Sequence, residues 1–150
     1  MIFNFHHSKT LLGFFIRFFS LGHYNHVSIR LGNYIYEATI KGGVIKTHYK
    51  KWNSDTVVER IKVPLTIEQE RNVRLWLNEQ VGKGYDITGV MSFLWIFMKE
   101  SVGKWFCSEI GFVSLMKAWG VDSSVGYNQR VSPQQFYEQL LVLLFIKYKI

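Results

Sequence analysis

The sequence predicts an α+β domain in which an antiparallel sheet packs against helices. Apolar and polar side chains alternate over residues 26–38 around Gly32-Asn33, a pair that suits a two-residue hairpin turn. Residues 44–47 and 56–63 are rich in β-branched side chains and predict two further strands. Between residues 66 and 119, apolar residues recur at helical spacing after capping signals, which predicts helices that cover the sheet.

The composition predicts a single folded domain spanning residues 1–150. Hydrophobic residues make up 48% of the chain and aromatic residues 17%, which is enough for a real core. The one cysteine excludes an internal disulfide framework and a multi-thiolate zinc site, and it favours a reducing compartment. With no signal-peptide pattern in view, we expect a cytoplasmic protein of bacterial or viral origin.

The charge pattern argues against a nucleic-acid partner. The net charge is +7, but the Lys and Arg residues are scattered and no phosphate loop, zinc finger or basic-aromatic motif accompanies them. We therefore interpret the excess charge as a solubilising basic surface. Two apolar stretches, residues 10–21 and 140–146, are unsuited to spanning a membrane, so no transmembrane segment is expected. Weak peripheral contact with an anionic membrane through the aromatic N-terminal helix stays open.

The first half of the chain predicts a strand, a helix and then the hairpin. Residues 1–5 alternate weakly and predict a short strand or a lead-in. Ser8 is the candidate N-cap of a helix that runs to about residue 19, with Phe15 and Phe18 on its buried side. The hairpin follows, and Pro64 ends the strand predicted over residues 56–63.

The second half predicts mainly helices. Thr66 and Gln69 form a capping box that opens a helix to about residue 81. Further helices are predicted over residues 87–98 and 106–119, and a short one begins at Ser132-Pro133. Residues 142–150 predict a final edge strand.

The hairpin carries a candidate acid–base pair. With the turn at Gly32-Asn33, Leu31 faces Tyr34, and His26 and Glu37 fall on the polar face as diagonal neighbours. A carboxylate beside an imidazole fixes its tautomer and stabilises the protonated ring. The alternative for both side chains is a structural role on a solvated sheet face.

Cys107 is the candidate nucleophile, because it lies at the start of a predicted buried helix. Helix N-termini offer backbone N–H groups and a partial positive charge, which stabilise a thiolate and can bind an oxyanion. The alternative is an ordinary packing cysteine, since free cysteines are often buried.

A metal site is not expected. The histidines at 6, 7, 23 and 26 suggest one, but His23 and His26 lie three residues apart, which on a strand places their side chains on opposite faces. Neither an acid nor a thiolate completes a ligand set nearby in sequence. We therefore predict neither a metal nor an organic cofactor.

Several short motifs resemble the circularly permuted branch of the NlpC-type papain-like cysteine hydrolases, in particular its YiiX-like subgroup and, more distantly, the lecithin:retinol acyltransferases. They cover roughly residues 24 to 140, in the order found in that branch: His26-Val27-Ser28-Ile29, Tyr36-Glu37-Ala38, Gly43-Val44, Tyr85-Asp86, Phe106-Cys107-Ser108-Glu109 and Ser132-Pro133. The resemblance implies a permuted papain-like fold, in which histidine and the third polar residue precede the cysteine.

The resemblance also implies roles for individual residues. Cys107 would be the nucleophile, His26 the base and Glu37 the third member of a triad acting on an amide, ester or thioester carbonyl. Tyr24 and Ser108 are candidate oxyanion or substrate contacts. Peptide, peptidoglycan-stem, lipid-ester and ubiquitin-like thioester substrates are all compatible with these residues, as are hydrolysis and acyl transfer. A binding or inhibitor module that keeps the fold without turnover is the alternative function.

Overall fold

The computed structural model describes residues 1–86, 105–121 and 131–148, and it confirms the α+β class. Five antiparallel strands form one sheet, and four described helices accompany it. In chain order the elements are β1 (Ile2–His6), α1 (Leu11–Ser20), β2 (His26–Leu31), β3 (Tyr34–Thr39), β4 (Gly43–His48), a 3₁₀ turn (Tyr49–Lys51), β5 (Val57–Lys62), α2 (Ile67–Gln80), α3 (Cys107–Ala118) and α4 (Pro133–Tyr148).

The sheet has the order β4-β3-β2-β1-β5, so the weakly predicted N-terminal strand lies inside it. β1 pairs with β2 on one side, where His6 faces His26, and with β5 on the other. Phe3 and Phe5 alternate with Asn4 and His6, and all four side chains are buried. Both faces of β1 are therefore covered, whereas an apolar–polar alternation predicts that one face is exposed to solvent.

The predicted hairpin register is confirmed. Leu31 pairs with Tyr34 and Ile29 with Tyr36, and Gly32 has a φ of 59°, in the region that favours glycine. One face of β2 and β3 is apolar and belongs to the hydrophobic core: Val27, Ile29, Leu31, Tyr36 and Ala38 are fully buried. His26 and Glu37 lie on the other face of these two strands.

Two helices begin where the sequence indicates. Thr66 caps α2 and forms the predicted capping box with Gln69. α3 begins at Cys107, directly after the N-cap residue Phe106, and buries several of its side chains, among them Ile110 and Leu115. α3 packs against β2, β3 and α2, so the predicted core helix is confirmed.

The prediction for α1 was wrong in its cap and in its buried side. Thr10, not Ser8, is the N-cap, and its hydroxyl accepts a hydrogen bond from the N–H of Gly13. Among the α1 side chains that the structure describes, Gly13 and Ile16 are buried. Phe15 and Phe18, expected to be buried, are 39% and 60% exposed.

The predicted C-terminal edge strand was also wrong. α4 begins at Pro133 as predicted, but it continues as one helix to Tyr148. Phe136, Leu140 and Leu144 are buried at helical spacing, which explains why the apolar run continues the helix instead of joining the sheet. The helix predicted over residues 87–98 lies outside the described residues.

Candidate active site

The polar face of the hairpin forms an ion pair between neighbouring strands. Nε2 of His26, the first residue of β2, lies 2.9 Å from Oε2 of Glu37 in β3, as the register predicts. The second carboxylate oxygen, Oε1, accepts a hydrogen bond of 3.1 Å from the indole N–H of Trp52. Glu37 is thus held by two partners, and its carboxylate fixes the orientation of the His26 ring.

Cys107 is a second acidic neighbour of the His26 ring. The side chain of Cys107, the first residue of α3, is completely buried, and it lies near enough to the His26 ring to raise the pKa of that ring. Because Nε2 is engaged by Glu37, Nδ1 is the ring nitrogen left for the sulfur. The structure therefore brings His26, Glu37 and Cys107 together, with the imidazole between the carboxylate and the thiol.

The surroundings of His26 favour its protonated form. Burial by itself lowers the pKa of His26, but the charge and hydrogen bond of Cys107, together with the hydrogen bond and charge of Glu37, raise it to about 10. At neutral pH the ring is consequently an imidazolium between two acidic groups.

A second imidazole, that of His6, stays neutral beside the first. The two ring centroids are 4.9 Å apart, and burial, the charge of His26 and the charge of Arg60 lower the pKa of His6 to about 3. The Nδ1 of His6 is 2.9 Å from the hydroxyl of Thr56, and its Nε2 is 3.0 Å from the hydroxyl of Ser28. Both ring nitrogens therefore have partners while only one of them carries a proton.

A cavity of about 420 Å³ opens beside this group. Its lining includes His26, Tyr85 and Lys41, together with Gly13 and Ile16 of α1. The phenol of Tyr85 is buried, and burial followed by the charges of Cys107, Glu109 and Asp86 raises its pKa. The cavity thus leads toward the ring of His26 along a largely apolar wall with a cation at Lys41.

The side chains of Tyr24 and Ser108 have partners in the core. The ring of Tyr24 packs on Phe5 and Tyr137; burial and a hydrogen bond with Tyr137 raise the pKa of Tyr24 to about 12. Ser108 is buried, and its hydroxyl donates to the backbone oxygen of Val131. The oxyanion or substrate contact predicted for each of the two residues stays a prediction.

Sequence reasoning missed Trp52 and the role of His6. Trp52 follows the 3₁₀ turn in an irregular segment, where no periodicity identifies its partner, and its ring packs edge-on against His6 with centroids 5.7 Å apart. The contact between His6 and His26 could have been predicted from the position of His6 on a strand, because the two residues pair once β1 is placed beside β2. Apolar and polar residues alternate only weakly in β1, so the sequence did not place β1 beside β2.

No group of three or more His, Cys, Asp or Glu side chains that could hold a metal ion occurs in the described ranges. None of the helices in those same ranges has both the length and the apolar character needed to cross a membrane. Comparison of the chain with protein-family models, curated proteins and solved structures finds no match.

Proposed function

We propose that this protein is a cysteine-dependent hydrolase with a circularly permuted papain-like fold of the NlpC type. Its substrate is an amide, ester or thioester carbonyl, and its catalytic residues are Cys107, His26 and Glu37. One observation carries the proposal: the His26 ring is hydrogen-bonded to the Glu37 carboxylate and lies beside the Cys107 thiol at the start of a buried helix.

In the reaction, the Cys107 thiolate attacks the carbonyl carbon and forms a carbon–sulfur bond, while the carbonyl π electrons move to oxygen. The backbone N–H of Cys107, at the start of α3, is one donor suited to that oxyanion. As the tetrahedral intermediate collapses, the imidazolium of His26 gives its proton to the leaving amine, alcohol or thiol. Water then attacks the thioester with His26 as base, and the acid product leaves as the thiolate returns.

Glu37 acts throughout as the residue that orients the ring. Its carboxylate keeps the imidazolium pointed at the sulfur, and Trp52 restrains the carboxylate in turn. If an alcohol or amine replaces water in the second step, the same residues carry out acyl transfer.

The test is labelling with a panel of carbonyl electrophiles, comparing the intact protein with Cys107→Ala and His26→Ala. Hydrolases of this kind are acylated at one cysteine, so labelling is abolished in the first variant and falls by about 100-fold or more in the second. His23→Ala, which removes an exposed imidazole, is the matched control and keeps the intact rate. Equal labelling of the His26→Ala and His23→Ala proteins would show that His26 does not activate the thiol.

A binding or inhibitor module on the same fold is the second candidate, and the complete burial of Cys107 favours it. A sulfur without solvent contact must be reached through the cavity beside His26 before it can react. If every electrophile leaves Cys107 unlabelled in the folded protein but labels it after denaturation, the binding module is the better assignment.

A further inference from the structure

The outer side of α1 presents large apolar side chains to solvent. Phe14, Phe15 and Phe18 are 53%, 39% and 60% exposed, and Leu21, the C-cap residue, is 93% exposed. We call these four residues the aromatic face of α1. Isolated exposed apolar residues are common, but several large ones on one short helix usually mark a contact surface.

The helix is anchored so that this face must point outward. Gly13 lies so close to Asn25 that an added Cβ would be 2.4 Å from its side-chain nitrogen. Asn25 in turn accepts from the N–H of Ser8 at 3.1 Å and donates to the oxygen of Ser8 at 2.8 Å. Arg17 donates to the same oxygen at 2.6 Å. A rotation that buried the phenylalanines would break these contacts.

Leu21 strengthens the case for a contact surface. It takes a φ of 49°, a left-handed conformation at a helix C-cap where glycine or asparagine is normally preferred. A leucine at this position strains the backbone and, at 93% exposure, packs little against the residues that the structure describes. The side chain is therefore better explained by a contact made outside the described fold.

The charges around the aromatic face suit an anionic partner. The first 36 residues contain no Asp or Glu, while Lys9 and Arg17 flank or lie on α1. The first acid of the chain is Glu37, which is bound to His26 and Trp52. Across the cavity from α1, Lys41 is exposed. Aromatic side chains beside cations, on a segment that has no carboxylates of its own, fit the headgroup region of an anionic bilayer, whereas a protein partner would need its own complementary apolar face.

We propose that the aromatic face of α1 docks on the surface of an anionic phospholipid bilayer. The opposite side of the helix lines the cavity beside His26, so docking places the cavity behind α1, about 10 Å from the lipid surface. This surface stands independently of the proposed hydrolase activity, because it requires neither Cys107 nor turnover.

The test is sedimentation with vesicles, using the Cys107→Ala protein so that no reaction interferes. Binding is expected to vesicles of an equimolar mixture of phosphatidylcholine and phosphatidylserine, to be weak with phosphatidylcholine alone, and to fall as salt is added. Phe18→Ser lowers the partition coefficient about tenfold or more. Phe145→Ser in α4 is the matched control: Phe145 is 64% exposed, and its loss leaves partition unchanged.

Two further variants keep the result interpretable. Leu21→Asn suits the left-handed cap and keeps the helix, yet lowers partition, which separates docking from folding. Lys9→Gln lowers partition about fivefold, whereas Lys62→Gln, at the far end of β1 from His6, does not. Equal losses for Phe18→Ser and Phe145→Ser, or binding indifferent to phosphatidylserine, would overturn the proposal. A dimer that Phe18→Ser dissociates, with no vesicle binding, would assign the face to a second copy instead.

Discussion

The buried imidazole of His6 makes the protein sensitive to mild acid. In the fold its pKa is lowered to about 3 by burial and by the charges of His26 and Arg60, against 6.5 for a free side chain. Between about pH 6.5 and about pH 3, His6 therefore binds a proton in the unfolded chain but not in the folded chain. The free energy of unfolding falls as pH drops below 6.5, and it continues to fall until pH approaches 3.

These two values set the size of the effect. Between about pH 6.5 and about pH 5, proton linkage through His6 costs about 1.7 kcal/mol of unfolding free energy. His26 contributes with the opposite sign, because its pKa is raised to about 10: its stabilisation is complete below 6.5 and is lost as pH rises toward 10. In the acid window His26 therefore produces no loss.

The measurement is urea unfolding followed by tryptophan fluorescence at both pH values, for the intact protein and for His6→Gln. Glutamine keeps polar atoms for Ser28 and Thr56 but cannot bind the proton, so the variant loses about 1.7 kcal/mol less than the intact protein over this window. His23→Gln, which removes an exposed imidazole, behaves like the intact protein. If His6→Gln and the intact protein lose the same free energy, the ring is not held neutral by the fold and the reasoning fails.

Three other perturbations test the site and the turn that supports it. Glu37→Gln removes one of the groups that raise the pKa of His26, so ring titration by NMR should show that pKa falling below 10 by about one unit or more; an unchanged value would assign the shift to the thiol alone. Trp52→Phe leaves the Glu37 oxygen without its indole donor, and we expect the free energy of unfolding in urea to fall by about 1–2 kcal/mol. An unchanged free energy of unfolding would show that this hydrogen bond does not stabilise the fold. Gly43→Ala forces a φ of 62° on alanine and places its Cβ 2.1 Å from a backbone oxygen, so it should destabilise the protein by more than about 2 kcal/mol. Gly82→Ala, with φ of 88° but open space around it, is the control, and equal thermal shifts in the two variants would contradict the clash.

The parts of the fold that could be predicted are those encoded by neighbouring residues. Gly32 requires its turn, and the turn fixes the register that places Glu37 beside His26. The capping box at Thr66 fixes the start of α2 by local hydrogen bonds alone. The start of α3 at Cys107 follows from the break in the chain before it and the apolar spacing after it.

The parts that could not be predicted depend on partners distant in sequence. β1 contains Asn4 and His6, which look like exposed polar residues until Ser28 and Thr56 are seen to satisfy them. The apolar run that continues α4 has no signal that distinguishes strand from helix. Trp52 reaches Glu37 from an irregular segment, and irregular backbone carries no period from which to infer the contact.

The position of β1 has a consequence for the order in which the protein folds. Glu37 reaches His26 across a separation of 11 residues, within a hairpin that closes locally and fast. His6 meets Ser28 across 22 residues and Thr56 across 50, so it must wait for β1 to insert between β2 and β5. During synthesis the contact between His26 and Glu37 therefore forms before the contacts of His6. The His6 ring reaches its final surroundings only when β1 is inserted between β2 and β5.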